Sequence, residues 1–488
     1  MDQGTTGTTC LVFDRSARIA GSAYREFEQY FRRPGWVEHD ASEIWGVSHA
    51  VAAEALEAAG VAPGDLEGIG ITNQRETVVA WDPRTGEPLH RAIVWQDRRT
   101  SSRCDELRAE GREGLVRDRT GLVLDPYFSG TKVEWLLENV EDLPDRAARG
   151  RARIGTIDSW LSFKLTGRTV TDYSNASRTL LFDIHRLRWD EDLCQLFGVA
   201  ERALPEVLPS AHIYGPTLPE AFFGAAVPVA GIAGDQQAAL FGQACLEPGL
   251  GKNTYGTGSF VLMNTGQEPA PPSPGLLTTV AWGLPEETDY ALEASVFVTG
   301  AAVQWLRDGL AIISSPEETE ALAASLDSND GVYFVPALTG LGSPHWDPYA
   351  RGTIVGLTRG TTRAHLARAA LEAIAYQTVD AVRAMEAASG ERLGELRADG
   401  GAVGNDWLMQ FQADVLDRPV VVPEVAQTTA LGAAYLAGIA TGFWSPDQVS
   451  GSMWREASRF EPRMSADERE SLLAGWAQAL ERSKGLAV

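Results

Sequence analysis

Asp2-Gln3-Gly4-Thr5-Thr6-Gly7-Thr8-Thr9 opens the chain, and the apolar run Cys10-Leu11-Val12-Phe13 follows it before Asp14. Gly and Thr alternate through a tight turn, with a carboxylate at its entrance and a strand at its exit. Backbone N–H groups and Thr hydroxyls in such a turn form a concave site for anions. A carboxylate beside it suits Mg²⁺, a hard cation that takes carboxylate and phosphate oxygens. An ordinary β-hairpin turn explains the stretch equally well, because Gly/Thr turns are common. A second copy shifts the balance. Asn253-Thr254-Tyr255-Gly256-Thr257-Gly258-Ser259 runs into Phe260-Val261-Leu262-Met263 with the same grammar. Two related hairpins so far apart indicate two similar domains facing each other. Glu247-Pro248-Gly249 interrupts the pattern, so the expected domains are 1–244 and 245–488. The first hairpin begins at residue 2, without a strand leading into it. The expectation is a native start several residues upstream; an intact mass of the native protein matching Met1 would refute it.

The 488 residues suit two domains, each long enough to bury a large apolar interior. Hydrophobic residues make up 44% and charged residues 22%, as in an ordinary globular chain. Lys and Arg number 42 against 66 Asp and Glu, a formal charge of −24. So acidic a chain is a poor partner for nucleic acid or an anionic membrane surface. Any phosphate site must be built locally, from backbone amides, a metal and a few Arg or Lys. Cys10, Cys104, Cys194 and Cys245 are scattered, without a CxxC or a His/Cys cluster. That argues against structural zinc and disulfides and for a reducing cytoplasm. The chain opens polar, so no signal peptide is expected, and no apolar run approaches membrane-spanning length.

Between the hairpins the pattern is that of an α/β domain with a mixed sheet. An extended run around Ala20–Phe27 precedes a helix from Ala41 to about Gly60, with Ile44, Val47, Val51 and Ala55 at helical spacing. Leu66–Asn73 reads as a buried strand with a polar tip, and Val78–Trp81 as a hairpin arm. Gln74-Arg75-Glu76-Thr77 and Trp95-Gln96-Asp97 stand at strand ends. Ligands bind beyond the carboxyl ends of strands in open α/β sheets; an adjacent Arg–Glu is also a common surface ion pair. Tyr127 is either a core aromatic or part of a loop that opens a helix with Val133, Leu136 and Leu137 inward. Thr156–Trp160 reads as a capped helix start, and the polar run Asn175 to Arg178 has no assigned role. Val229–Ala233 is a buried strand that Gly234-Asp235-Gln236-Gln237 converts into a helix. Asp235 stands where an N-cap would; it also stands where a general base would take the proton of an attacking hydroxyl.

The second half repeats this mixture. Expected elements are a helix from Gly300, a strand over Val332–Pro336, a long helix over Ala364–Met385 and a strand at Leu396–Asp399. Gly400-Gly401-Ala402-Val403-Gly404-Asn405 then turns into a helix, allowing either close approach to a nucleotide or tight helix–strand packing. A small-residue helix from Thr428 and a final surface helix from Ser465 complete the chain.

Together these pieces resemble the FGGY carbohydrate kinases, and within them the glycerol kinase branch. Two long signatures carry the resemblance: Tyr127-Phe128-Ser129-Gly130-Thr131-Lys132-Val133-Glu134-Trp135-Leu136, and Gly352-Thr353-Ile354-Val355-Gly356-Leu357 with His365-Leu366 and Ala369 to Glu372. Asn73 to Thr77, reading Asn-Gln-Arg-Glu-Thr, mark the glycerol branch; xylulose kinases typically have Gln-Met-His-Gly there. The resemblance implies two ribonuclease-H-like domains of the actin/hexokinase type around a cleft. It implies an ATP-dependent kinase with Mg²⁺, cytoplasmic, forming a homodimer or homotetramer. It makes Arg75, Glu76, Trp95, Tyr127, Asp235, Gln236 and Phe260 the glycerol site, with Asp235 as the base. Thr5, Thr6, Gly256 and Thr257 become phosphate contacts, Gly300, Gln304, Gly401 and Asn405 nucleotide positions, and Asp2 and Asp235 the metal carboxylates. A triol needs several fixed donors and acceptors and an apolar wall for its CH₂ groups.

Two departures stand out. Thr9 replaces an Arg that reaches the nucleotide phosphates in many relatives, so ATP is expected to bind less well. The loop Phe222-Phe223-Gly224-Ala225-Ala226 lacks the Gly-Gly-Thr-Arg pattern of relatives inhibited by fructose 1,6-bisphosphate, and it lacks a phosphorylatable histidine. No regulation through that loop is expected. A kinase for another polyol, and a nucleotide switch sharing the actin-type cleft, are the competing readings; the polyol-type residues argue against the switch.

Overall fold

The computed structural model describes residues 1–486. Two mixed sheets form its frame. The first runs, edge to edge, Ile19–Glu26, Gly7–Phe13, Asp2–Gln3, Ile69–Asn73, Pro228–Gly234 and Ala211–Pro216. The second runs Leu277–Gly283, Thr288–Val296, Ser259–Gly266, Leu250–Tyr255, Glu395–Gly400, Val420–Pro423 and Glu456–Phe460. Leaving aside its first edge strand, the second sheet repeats the first strand for strand. In each, three antiparallel strands are followed by two parallel ones and a final antiparallel edge. The duplicated Gly/Thr hairpins occupy equivalent central positions, which is what their shared grammar required.

The copies differ at the strand before the turn. Leu250–Tyr255 has six residues, whereas Asp2–Gln3 has two. Cys10–Phe13 and Ile69–Ile71 therefore have no strand between them, although Met1 bonds from its amino group to the Gly70 carbonyl at 2.9 Å. A groove of about 310 Å³ lies there, lined by Met1, Val12, Phe13, Ile69, Gly70 and Ala434 among others.

Helices cover the sheets where apolar stripes dictate. Ala41–Ala59 buries Ile44, Val51, Ala52, Ala55 and Leu56, starts with the Asp40 carboxylate accepting from the Ser42 amide, and stops at left-handed Gly60. Arg363–Ser389 is longer at both ends than its expected span and is buried along most of its length. Two small-residue helices, Asp235–Gly242 and Thr428–Thr441, pack so closely that a Cβ on Gly432 would stand 1.8 Å from the Ala238 carbonyl oxygen. This contact ties a helix of the second half to the first sheet. The edge hairpin Leu277–Val296 also docks on the first half: Leu277, Val280 and Tyr290 share a core with Phe128, Leu136 and Phe182. The Tyr290 hydroxyl donates to the Ile184 carbonyl at 2.7 Å.

Some local expectations need correction. Thr156 precedes the helix Ile157–Thr166 but does not cap it; its hydroxyl donates to Asp158 instead. The strand expected to end at Asp97 is only Ala92–Ile93. The last helix, Ala466–Ser483, is the surface helix expected, exposed along one face and burying Leu473, Trp476, Ala479 and Leu480 on the other.

Candidate active site

Strand register assembles the site. Gln3, Asn73 and Gly234 stand side by side at the carboxyl ends of three parallel strands. Each chain segment leaves the sheet just after that line. The first supplies Gly4-Thr5-Thr6, the second Gln74-Arg75-Glu76, the third Asp235-Gln236-Gln237. Asp2 lies one residue before the line, against Thr72 and Thr9. Residues distant in sequence thus converge because strand ends in register must converge.

Arg75 is the hub. Its Nε lies 3.2 Å from Asp235 Oδ1, its Nη2 donates to the Tyr127 hydroxyl at 3.2 Å, and its Nη1 donates to Gln237 Oε1 at 3.2 Å. Glu76 sits beside it in the left-handed region with φ 63°, a strained backbone that a bound partner must hold. The Ser129 hydroxyl provides that hold by donating to the Glu76 carbonyl at 2.9 Å. Buried Lys132 donates to the Tyr127 and Phe128 carbonyls at 3.1 and 3.2 Å, fixing the loop that carries Tyr127. The first signature is therefore the clamp behind two site residues. Trp95 meets Tyr127 edge-on with ring centres 5.5 Å apart, and its Nε1 donates to Thr5 Oγ1 at 2.9 Å. This bond joins the aromatic wall to the first turn.

Asp235 is not the N-cap expected from sequence. Gly234 holds that position, and Asp235 is the first helical residue. Its side chain is 31% exposed, and its carboxylate faces Arg75 while also accepting from the Gln236 amide at 2.7 Å. Burial raises its pKa against the pull of Arg75 and Lys252. Burial, reinforced by the charge of Asp235, pushes Asp2 up to about 7. Two carboxylates held in this state form a donor set that a divalent cation relieves, and Mg²⁺ takes one or two carboxylates plus phosphate oxygens. No cluster of three or more His, Cys, Asp or Glu side chains suited to a metal occurs among the described residues.

The second sheet brings its own tip to the cleft. Tyr255 pairs with Gly400, so Gly256 and Gly401 follow from adjacent strand ends. Gly400 has φ 92°, and a Cβ there would stand 2.3 Å from the Tyr255 carbonyl oxygen. Tight strand packing thus explains Gly400, whereas a Cβ on Gly401 would meet nothing within 4 Å. Gly300 opens a helix against the turn, its amide donating to the Gly256 carbonyl at 3.1 Å. Gln304 lies one turn further on, exposed. Asn405 caps the helix Asp406–Leu416, accepting from the Leu408 amide at 2.9 Å. Phe260 is half-buried on the second sheet, opposite Ser295.

Sequence reading missed four charged or polar groups. Glu293, on Thr288–Val296, accepts from Arg75 Nη1 at 2.5 Å and Nη2 at 3.1 Å. Arg178 donates to Glu76 at 2.8 Å and to Glu293 at 3.0 Å. Lys252 bonds the Gln236 side chain and Thr254, and burial lowers its pKa to about 8. Gln237 also bonds Thr279 Oγ1 of the second half at 3.0 Å. One signal was available: a single carboxylate among Tyr290, Ala291, Leu292 and Ala294 has no reason to be buried unless paired. The unassigned run from Asn175 to Arg178 is explained too, since Asn175 and Asn73 exchange reciprocal amide bonds at 3.0 and 3.2 Å.

Duplicated sheets of this order, with a polar cluster at the strand ends, define a two-domain kinase of the actin/hexokinase type. The chain belongs to the FGGY family of carbohydrate kinases: the profile of the family's N-terminal domain matches residues 1–242 and that of its C-terminal domain residues 251–441. It is 55% identical to glycerol kinase 2 of Thermotoga maritima, covering 99% of this chain and 98% of the relative. It is 58% identical to the glycerol kinase of Trichlorobacter lovleyi, over 100% of this chain and 98% of the relative. The solved Plasmodium falciparum glycerol kinase with ADP superposes with a TM-score of 0.95 at 37% identity, over 99% of this chain and 97% of the other. A xylulose kinase from Rhodospirillum rubrum superposes at 0.86 with 26% identity, over 98% of this chain and 96% of the other.

Proposed function

We propose that this chain transfers the γ-phosphoryl group of ATP to glycerol, forming glycerol 3-phosphate and ADP for glycerol catabolism, with Asp235 as the general base. The observation that carries the reading is the Arg75–Glu76–Tyr127–Asp235 cluster, with Trp95 beside it. The arginine and tyrosine supply donors, the two carboxylates supply acceptors, and the indole supplies an apolar wall for the CH₂ groups of a small polyol. A pocket built from buried, paired polar groups rejects analogues that leave those groups unpaired. Gln236 and Phe260 complete the substrate set.

The terminal hydroxyl of glycerol attacks the γ-phosphorus. Its oxygen forms the new O–P bond, the bond to the ADP oxygen breaks, and Asp235 accepts the hydroxyl proton. A carboxylate whose pKa is raised by its surroundings is a better acceptor than an ordinary one. Thr5 and Thr6 on one turn and Gly256 and Thr257 on the other hold the phosphates, with Gly300, Gln304, Gly401 and Asn405 around the nucleotide. Asp2 and Asp235 would hold Mg²⁺, which neutralises charge on the transferring phosphoryl group. Residues 1–244 and 245–488 are assigned as the two domains that carry these turns. The chain is further assigned to the cytoplasm as a homodimer or homotetramer; no described helix is long and apolar enough to cross a membrane.

The test is ATP-dependent phosphorylation measured with glycerol, erythritol, dihydroxyacetone and xylulose in parallel. Glycerol is expected to give the highest kcat/KM. A better xylulose or erythritol substrate would move the chain to another branch of the family.

A further inference from the structure

We propose that Glu293 and Arg178 are positioning residues that hold Arg75 and Glu76 in the geometry required to bind the polyol, and so set the affinity of that site. The inference rests on the polyol reading given above and adds two residues that reading does not contain.

The four side chains close a ring of alternating charge. Glu293 receives Arg75 through both guanidinium nitrogens, at 2.5 and 3.1 Å. It receives Arg178 at 3.0 Å, Arg178 donates to Glu76 at 2.8 Å, and Glu76 lies 3.9 Å from Arg75. No side chain in the ring is more than 2% exposed. A two-pronged carboxylate fixes the plane of a guanidinium as well as its charge. That plane directs Arg75 Nε toward Asp235 and Nη2 toward Tyr127. Arg178 performs the same service for Glu76, whose backbone is already in a left-handed conformation. Thus each ring member named as a polyol ligand is held by one that is not.

Glu293 is itself well anchored. Its strand pairs on both sides, with Leu262 on one neighbour and Leu277 on the other, and the hairpin is docked on the first half through Leu277, Val280 and Tyr290. Burial disfavours the charge of Glu293, yet Arg178 and Arg75 hold its pKa down at about 2. Stability alone gives little reason to place this ring here. Burying four charges costs desolvation that their attraction barely repays, and a packed hydrophobe would serve the fold as well. Geometry is the property a hydrophobe cannot supply. Displacing a binding group by about 1 Å costs on the order of a hundredfold in activity.

Steady-state kinetics of Glu293→Gln and Arg178→Lys in the full chain test this, with melting curves for both. Wild-type turnover of glycerol is measured first; its absence sinks the polyol reading, and this proposal with it. Given that turnover, each folded variant is expected to raise the KM for glycerol at least about tenfold while the KM for ATP stays within about twofold. Glu293→Asp, which keeps the charge on a shorter arm, should fall between wild type and Glu293→Gln. An unchanged glycerol KM in a folded variant overturns the proposal. So does an equal rise in both KM values, the signature of a loosened fold. If Glu293→Gln does not fold, Arg178→Lys, which keeps the charge and loses the fork, is read by the same criteria.

Discussion

Replacing Asp235 by Asn separates proton acceptance from pocket geometry. The carboxylate makes two contacts that an amide oxygen can keep: 3.2 Å to Arg75 Nε and 2.7 Å to the Gln236 amide. Asparagine has the same shape, so the helix start and the Arg75 orientation persist. What disappears is the group that accepts the hydroxyl proton and one of the two charges proposed for Mg²⁺. General-base catalysis contributes about 10² to 10⁴ in rate, which corresponds to roughly 2.7 to 5.5 kcal/mol of barrier. The expected result is a kcat lower by at least about a hundredfold with a glycerol KM within about threefold of wild type. A coupled assay of ADP release at saturating MgATP, with glycerol varied, reads both. Turnover within tenfold of wild type would remove Asp235 from the chemistry. A rise in glycerol KM as large as the fall in kcat would reassign it to binding.

Asp2 gives a pH-dependent prediction. With its pKa near 7, it is protonated below neutrality in the metal-free protein. At limiting Mg²⁺, activity should therefore fall as pH drops below about 7, and added Mg²⁺ should shift the fall to lower pH; a profile insensitive to Mg²⁺ would exclude Asp2 as a ligand. The sign for stability is opposite. A carboxyl raised from 3.8 makes the folded state bind the proton more tightly than the unfolded chain, so this group's contribution weakens as pH rises from about 4 to 7. Thr9→Arg should lower the KM for ATP by adding positive charge near the first turn, and an unchanged or higher value would refute that.

Local signals carried the frame of the molecule. The Gly/Thr hairpins, the stripe of Ala41–Ala59 and the small-residue helix from Thr428 were legible because turn chemistry, helical period and residue size act within a few residues. The same is true of Arg75, Glu76 and Asp235, each one to three positions past a buried strand. The support behind them was not legible. Arg75 and Glu293 are 218 residues apart, and only the docking of the edge hairpin on the first half brings them together. Asp235 was legible only as two alternatives, a cap or a base at a strand-to-helix junction; here Gly234 takes the cap position, and the carboxylate accepts from the Gln236 amide and meets Arg75. Gly400 and Gly401 illustrate the same limit, since adjacent identical residues answer to backbone crowding in one case and open space in the other.

The charge balance of the ring bears on the strength of the base. Arg75 lies against Asp235, and an unopposed arginine there would favour the carboxylate so strongly that it would be a poor proton acceptor. Glu293 and Glu76 offset Arg75 and Arg178 one for one, so Asp235 faces a ring with no net charge. The negative charge of Glu293 helps keep the Asp235 pKa raised, while Arg75 still supplies the hydrogen-bond donor that orients it. An arginine can then serve as a polyol ligand next to the general base without disarming it. In an acidic protein, neutralising the site locally with two buried carboxylates has this effect, whereas the overall charge of the surface would not.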